Sequence, residues 1–129
     1  MHAAYEKLKF YQDITILRAM IYRITERFEK THLRLVSQMR DAIRSAKQNI
    51  REGYKKETIG EFGHSIKISR GSLDELAGDV EDCLEDSLIT REEFNQLDAL
   101  IKSADYLSSR YLQSLYKMGR DGTWKTPKR

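Results

Sequence analysis

From Ile14 to Met118 apolar side chains recur every three or four residues, and no proline interrupts them, since the only proline is Pro127. That spacing puts the apolar positions on one stripe of a helix. Without proline, the backbone also keeps the N–H donors that a helix needs. The first run, Ile14, Leu17, Ile21, Ile24 and Phe28, has an unbroken heptad-type rhythm, preceded by Tyr5, Leu8 and Phe10 and widened by Ile16 and Met20. A second helix is expected over residues 32–54, with the seam Val36, Met39, Ile43, Ala46 and Ile50. Thr31 is its expected N-cap and Gly53 its C-terminal cap.

Thr58-Ile59-Gly60-Glu61 has the form of a capping box and starts a third helix. Its seam is Phe62, Ile66, Ser69, Leu73, Leu76, Val80 and Leu84. Gly60, Gly63, Gly71 and Gly78 each cost about 1 kcal/mol relative to alanine in a helix, which implies close approach of a neighbour, with Gly71-Ser72 best placed for it. A second capping box, Thr90 with Glu93, opens the fourth helix, and Ile89 can staple onto Phe94. That helix continues through Leu97, Leu100, Ile101, Ala104, Leu107, Tyr111, Leu115 and Met118 and is expected to stop at Gly119-Arg120-Asp121-Gly122. Four amphipathic helices of roughly 20 residues, about 30 Å each, with short connections predict an all-α, antiparallel up-down-up-down four-helix bundle. The bundle is assigned to residues 1–118, and residues 119–129 to a flexible basic tail carrying Trp124, Lys125, Lys128 and Arg129.

Composition narrows the chemistry. A chain of 129 residues is long enough for one domain with its own core. The single Cys83 excludes an intramolecular disulfide and any multi-cysteine zinc site. His2, His32 and His64 fall in different segments without ligand spacing, and the Glu-x-x-His pairs of di-iron bundles do not occur. Glu81, Asp82, Glu85 and Asp86 read as a solvated face or a partner for basic residues. Cys83 has no neighbouring base, so no catalytic residue, cofactor or metal is expected. No apolar run nears the roughly 20 residues that span a membrane, and Met1-His2-Ala3-Ala4-Tyr5-Glu6-Lys7 lacks a signal-type apolar stretch. A cytoplasmic protein without membrane contact is the expectation.

The net charge of +3 hides strong segregation. Residues 1–70 carry 15 Lys/Arg against 8 Asp/Glu, residues 71–105 carry 2 against 11, and residues 106–129 carry 6 against 1. One account is that the acidic segment pairs with basic neighbours within the fold or between subunits; the other is that basic surface is left for an anionic partner. The second helix sharpens the second account. Arg40, Arg44, Lys47, Arg51 and Lys55 recur at helical spacing, and their mean direction lies roughly 100° round the helix from the apolar seam.

Ser37-Gln38-Met39-Arg40-x-Ala42, Asn49-Ile50-x-Glu52-Gly53-Tyr54, Glu61-Phe62 and Gly71-Ser72-Leu73-x-Glu75-Leu76 form a gapless pattern over residues 37–76. It resembles the bacterial four-helix-bundle proteins that include those encoded in intervening sequences of large-subunit ribosomal RNA genes. It is also similar in fold to the accessory variability determinant (Avd) of diversity-generating retroelements. Tyr5-x-x-Leu8-x-x-Tyr11-Gln12 looks like the opening motif of that family, and the resemblance covers roughly residues 5–118. Where the family commonly has Ser-Ile-Pro, this chain has Ser45-Ala46-Lys47, which implies a straighter second helix.

The resemblance implies a homo-oligomer, typically a pentameric barrel, without enzymatic activity. In the retroelement branch it implies a basic surface for nucleic acid and a reverse transcriptase partner. Arg40, Asn49, Glu52 and Gly71 are then structural or interface candidates. Arg44, Lys47, Arg51 and Lys55 are candidates for binding RNA or DNA. The expected function is a non-enzymatic homo-oligomeric scaffold that binds nucleic acid electrostatically; the alternative is a self-assembly or protein-interaction module with no nucleic-acid role.

Overall fold

In a computed structural model describing residues 4–121, with side chains described through Arg120, a 3-10 turn over Ala4–Lys7 leads into four α-helices. These are α1 (Lys9–Thr25), α2 (Leu33–Tyr54), α3 (Ile59–Glu85) and α4 (Arg91–Asp121), and α1 ends in a further 3-10 turn, Glu26–Phe28. The described residues contain no strand. Each helix packs on its neighbours in sequence, and α1 closes the ring against α4.

End-to-end contacts fix the up-down-up-down order. Tyr5, just ahead of α1, meets Tyr54 at the end of α2, with ring centroids 5.8 Å apart. Phe10 early in α1 meets Tyr111 late in α4 at 5.5 Å. At the opposite end of the bundle, Arg27, just after α1, reaches Glu93 in the first turn of α4 at 2.6 Å.

The seams become one core. Ile14, Leu17, Ile21, Met39, Ile43, Ala46, Ile50, Ile66, Leu76 and Leu97 are all 0 % exposed. Each large side chain among them contributes about 1.5–3 kcal/mol by leaving water. Cys83 joins the core beside Met39, with sulfurs 3.6 Å apart, and burial pushes its thiol up to about 11, with Asp79, Asp82 and Asp86 adding to the shift. Asp13 is also buried; it pairs with Lys9 and accepts a 2.6 Å hydrogen bond from Ser103 of α4.

One capping box closes reciprocally and the other only in part. Thr58 Oγ1 accepts from the Glu61 N–H at 3.1 Å, but the Glu61 carboxylate accepts from the Thr58 hydroxyl, at 3.0 Å, rather than from its N–H. Thr90 Oγ1 accepts from the Glu93 N–H at 3.1 Å, while the Glu93 carboxylate accepts from the Thr90 N–H at 2.9 Å. The hydrogen bond from Arg27 chiefly holds Glu93 down to about 2, with Thr90 adding to the effect against partial burial.

Four local expectations are corrected. Thr31 does not cap α2: its hydroxyl donates to the Phe28 carbonyl, and His32 occupies the N-cap position. Gly53 is no C-terminal cap but a buried helical residue facing α3; an added Cβ would stand 2.4 Å from Ser65 Cβ. Gly71, expected at a close approach, faces open space with no atom within 4 Å of such a Cβ. Ile16 does not widen the packed stripe but is 52 % exposed. The described part of α4 ends at Asp121, inside the run 119–122 expected to stop it, and Gly119 packs on Ile59. The assigned tail with Trp124, Lys125, Lys128 and Arg129, like His2, otherwise lies outside the described residues.

The α3–α4 turn closes on a feature with no glycine to signal it. Ser87 has φ 61°, the Leu88 N–H reaches the Cys83 carbonyl at 2.8 Å, and the Ser87 N–H reaches Leu84 at 3.1 Å. This is a Schellman closure with serine in the left-handed position that glycine usually fills.

Candidate nucleic-acid interface

The packing of α1 on α2 leaves a valley beside the core, and the basic side chains of α2 line it. Ile43, Ala46 and Ile50 are buried, which turns Arg44, Lys47 and Arg51 toward the α1 side of the helix. From α1, Arg18 faces the same space. Arg18, Arg44, Lys47, Gln48 and Arg51 enclose a groove of about 410 Å³. Lys47 and Arg18 are half-buried, whereas Arg44 is exposed.

These cations strain one another. Burial, followed by the charges of Arg18 and Arg51, pulls the Lys47 ammonium below its ordinary range, with Glu6 opposing the shift. Lys47 Nζ also lies 5.8 Å from the centre of the Tyr11 ring. Burial and neighbouring Tyr5 push the Tyr11 phenol up, while Arg51 pulls it down. An anion in the groove would relieve the repulsion among the cations. Arg44 has only a long contact to Asp41, 3.9 Å away one turn earlier.

Of the four expected anion-binding residues, Arg44, Lys47 and Arg51 therefore converge. Lys55 follows the end of α2, is exposed, and does not line this groove. Arg18 was missed by sequence reasoning. It stands on a different helix, and no periodicity links it to the others; only the closure of α1 on α2 brings it there.

Arg40 shares the spacing of the rail but has a different environment. Its Nη1 lies 3.1 Å from Glu29, its Nε donates to Thr25 Oγ1 at 3.1 Å, and its Nη2 donates to the Tyr22 carbonyl at 3.3 Å. The guanidinium also covers the Tyr22 ring at 4.8 Å. Arg40 thus ties α2 to the C-terminal turn of α1, where a cation complements the helix dipole.

Asn49 Nδ2 donates to the Ser45 carbonyl at 2.9 Å within α2. Asn49 and Glu52 line another shallow groove with Lys56, Glu61, His64 and Ile68. Gly71 lies apart from both grooves, exposed on α3.

Among the described residues, no group of three or more His, Cys, Asp or Glu is placed to hold a metal ion. No described helix is long and apolar enough to cross a membrane. No curated protein matches the chain. Residues 6–110 match the family model described as 23S rRNA-intervening sequence protein, spanning most of the bundle that carries the groove, and the chain belongs to that family.

Proposed function

We propose that this protein is a non-enzymatic, homo-oligomeric four-helix bundle of the cytoplasm that binds RNA or DNA through phosphate neutralisation in the α1–α2 groove. The carrying observation is the convergence of Arg18, Arg44, Lys47 and Arg51 from two helices around one cleft. Charge-driven contact to phosphates gives affinity without sequence reading. Assembly as a homopentamer would repeat the groove around a ring and convert modest affinity per chain into avidity.

The test is fluorescence anisotropy with unrelated RNA and DNA probes at low salt, using the wild type and the Arg44→Glu/Arg51→Glu double variant. The reading expects binding by the wild type and its loss in the double variant. Equal binding by both, or no binding by the wild type, would overturn it. Light scattering tests the assembly, with a mass of five chains expected and a monomer contradicting it.

Self-assembly alone is the second reading, and the charge of α3 favours it. Asp74, Glu75, Asp79, Glu81, Asp82, Glu85 and Asp86 make no ion pair with another described residue. Asp41, Glu75 and Asp79 line an acidic groove on the α3 side of α2. Acidic and basic grooves on two sides of one helix suit head-to-tail pairing of copies. On this reading the double variant changes the mass, and nucleic acid is not bound by either protein.

A further inference from the structure

The basic groove does not end at Arg44. The same side chain borders a second hollow of about 440 Å³ that continues along the α1–α2 valley toward the start of α2. Its surfaces are of another kind: Tyr22, Val36 and Leu33 contribute an aromatic ring and apolar side chains, and Leu33 is 66 % exposed. The guanidinium carbons of Arg18 and Arg40 lie over the Tyr22 ring, 4.4 Å and 4.8 Å from its centre. Glu29 and Asp41 also border this hollow, and their charge disfavours a phosphate there.

Resting on the phosphate-binding reading above, we infer that the valley takes single-stranded nucleic acid, with phosphates at Arg18, Lys47 and Arg51 and an unstacked base against Leu33 and the Arg40 guanidinium that Tyr22 holds in place. The division follows the chemistry of the lining, which changes at Arg44 from cations and an amide to a mixed surface where Tyr22, Leu33 and Val36 stand among Ser37, Arg40, Glu29 and Asp41. A strand with free bases presents both kinds of surface, because each nucleotide couples a phosphate to a flat π-face that stacks on aromatic rings or guanidinium planes. In a duplex the bases are stacked inside, and only phosphates and groove edges are offered.

Geometry points the same way. Packed helices lie about 8–10 Å axis to axis, so the valley between α1 and α2 is too narrow for a duplex to settle into. A duplex would rest on the rim and meet Arg44, which is exposed, but not the half-buried Arg18, Lys47 and Tyr22. Along α2, Leu33 and Arg51 are about 27 Å apart by helical rise, room for a short strand of a few nucleotides. Gln48, on the wall of the basic section, adds an amide within the groove.

The experiment compares three probes of one length at low salt by anisotropy: a single strand, the blunt duplex formed from it, and an abasic strand with the same phosphates. The wild type is expected to bind the single strand about tenfold more tightly than either other probe. Leu33→Ser, at an exposed position that the fold does not need, should weaken the single strand several-fold and leave the duplex unchanged. Tyr22→Leu should do the same, with circular dichroism verifying that it folds. Binding of the duplex or abasic strand as tightly as the single strand would overturn the inference while leaving phosphate binding intact. Binding to none of the probes would overturn the underlying reading as well.

Discussion

Replacing Gly53 by alanine tests how α2 and α3 are held together, because two opposing effects can be sized. In an open helix position the change would stabilise by about 1 kcal/mol through helical propensity. Here the new Cβ would lie 2.4 Å from Ser65 Cβ, 2.9 Å from Ser65 Oγ and 3.2 Å from Phe62 Cδ1. Two Cβ atoms cannot separate by changing rotamer, so the helices must move apart. That movement strains contacts farther along the interface, including Ser69 Oγ to the Ala46 carbonyl at 2.8 Å and Ser72 Oγ to Ser45 Oγ at 2.9 Å. Overpacking of this kind costs about 1–3 kcal/mol and occasionally more, which cancels the propensity gain of about 1 kcal/mol and leaves Gly53→Ala about 0–2 kcal/mol less stable than the wild type.

Gly71→Ala is the control: its Cβ meets nothing within 4 Å, and it should gain about 1 kcal/mol. Urea denaturation followed by far-ultraviolet circular dichroism, at one protein concentration for all variants, measures both. Adding Ser65→Gly to Gly53→Ala should recover part of the loss. A Gly53→Ala protein stabilised as much as Gly71→Ala, or a double variant whose losses simply add, would refute the close-approach reasoning.

The Arg27–Glu93 pair predicts a pH dependence. The folded-state pKa of Glu93 is depressed to about 2 from the model-compound value of 4.5, so its stabilisation is present above about pH 4.5 and lost as pH falls toward 2. With Arg27 half-exposed and screened by solvent, Glu93→Gln should cost about 1 kcal/mol at neutral pH and flatten the acid limb of an unfolding titration. Ser87→Gly should stabilise by about 1 kcal/mol in thermal melts, because glycine accepts the left-handed backbone that serine adopts at some cost. Ser103→Ala removes the hydroxyl that bonds buried Asp13 and should destabilise by about 1–3 kcal/mol in the same melts; no change would mean that the carboxylate finds another partner.

Periodicity and capping chemistry made the bundle readable in advance. The stripe from Ile14 to Phe28 and the seam from Val36 to Ile50 need only the helical repeat, and both capping boxes need only residues three apart. The misplaced features depend on tertiary geometry instead. A helical glycine signals that something is near, but whether Gly53 or Gly71 is the crowded one depends on how α2 meets α3. Arg40 and Arg44 occupy neighbouring positions on a helical wheel, about 40° apart, yet Arg40 falls beside Tyr22, Thr25 and Glu29 while Arg44 opens onto the groove. Arg18 could not be grouped with Lys47 until α1 and α2 were packed together. Ser87 carries no sequence signal, since serine is an ordinary turn residue and only its backbone reveals the Schellman closure.

The most direct test of the central claim is the salt dependence of affinity for a short single strand that spans one groove. If Arg18, Arg44, Lys47 and Arg51 each neutralise a phosphate, the logarithm of the binding constant should fall against the logarithm of salt with a slope of about −3. The Arg18→Gln/Lys47→Met variant, which keeps the exposed Arg44, should reduce the slope to about −1.4. An unchanged slope in that variant would contradict the account, because the phosphates would then be held somewhere other than the α1–α2 groove.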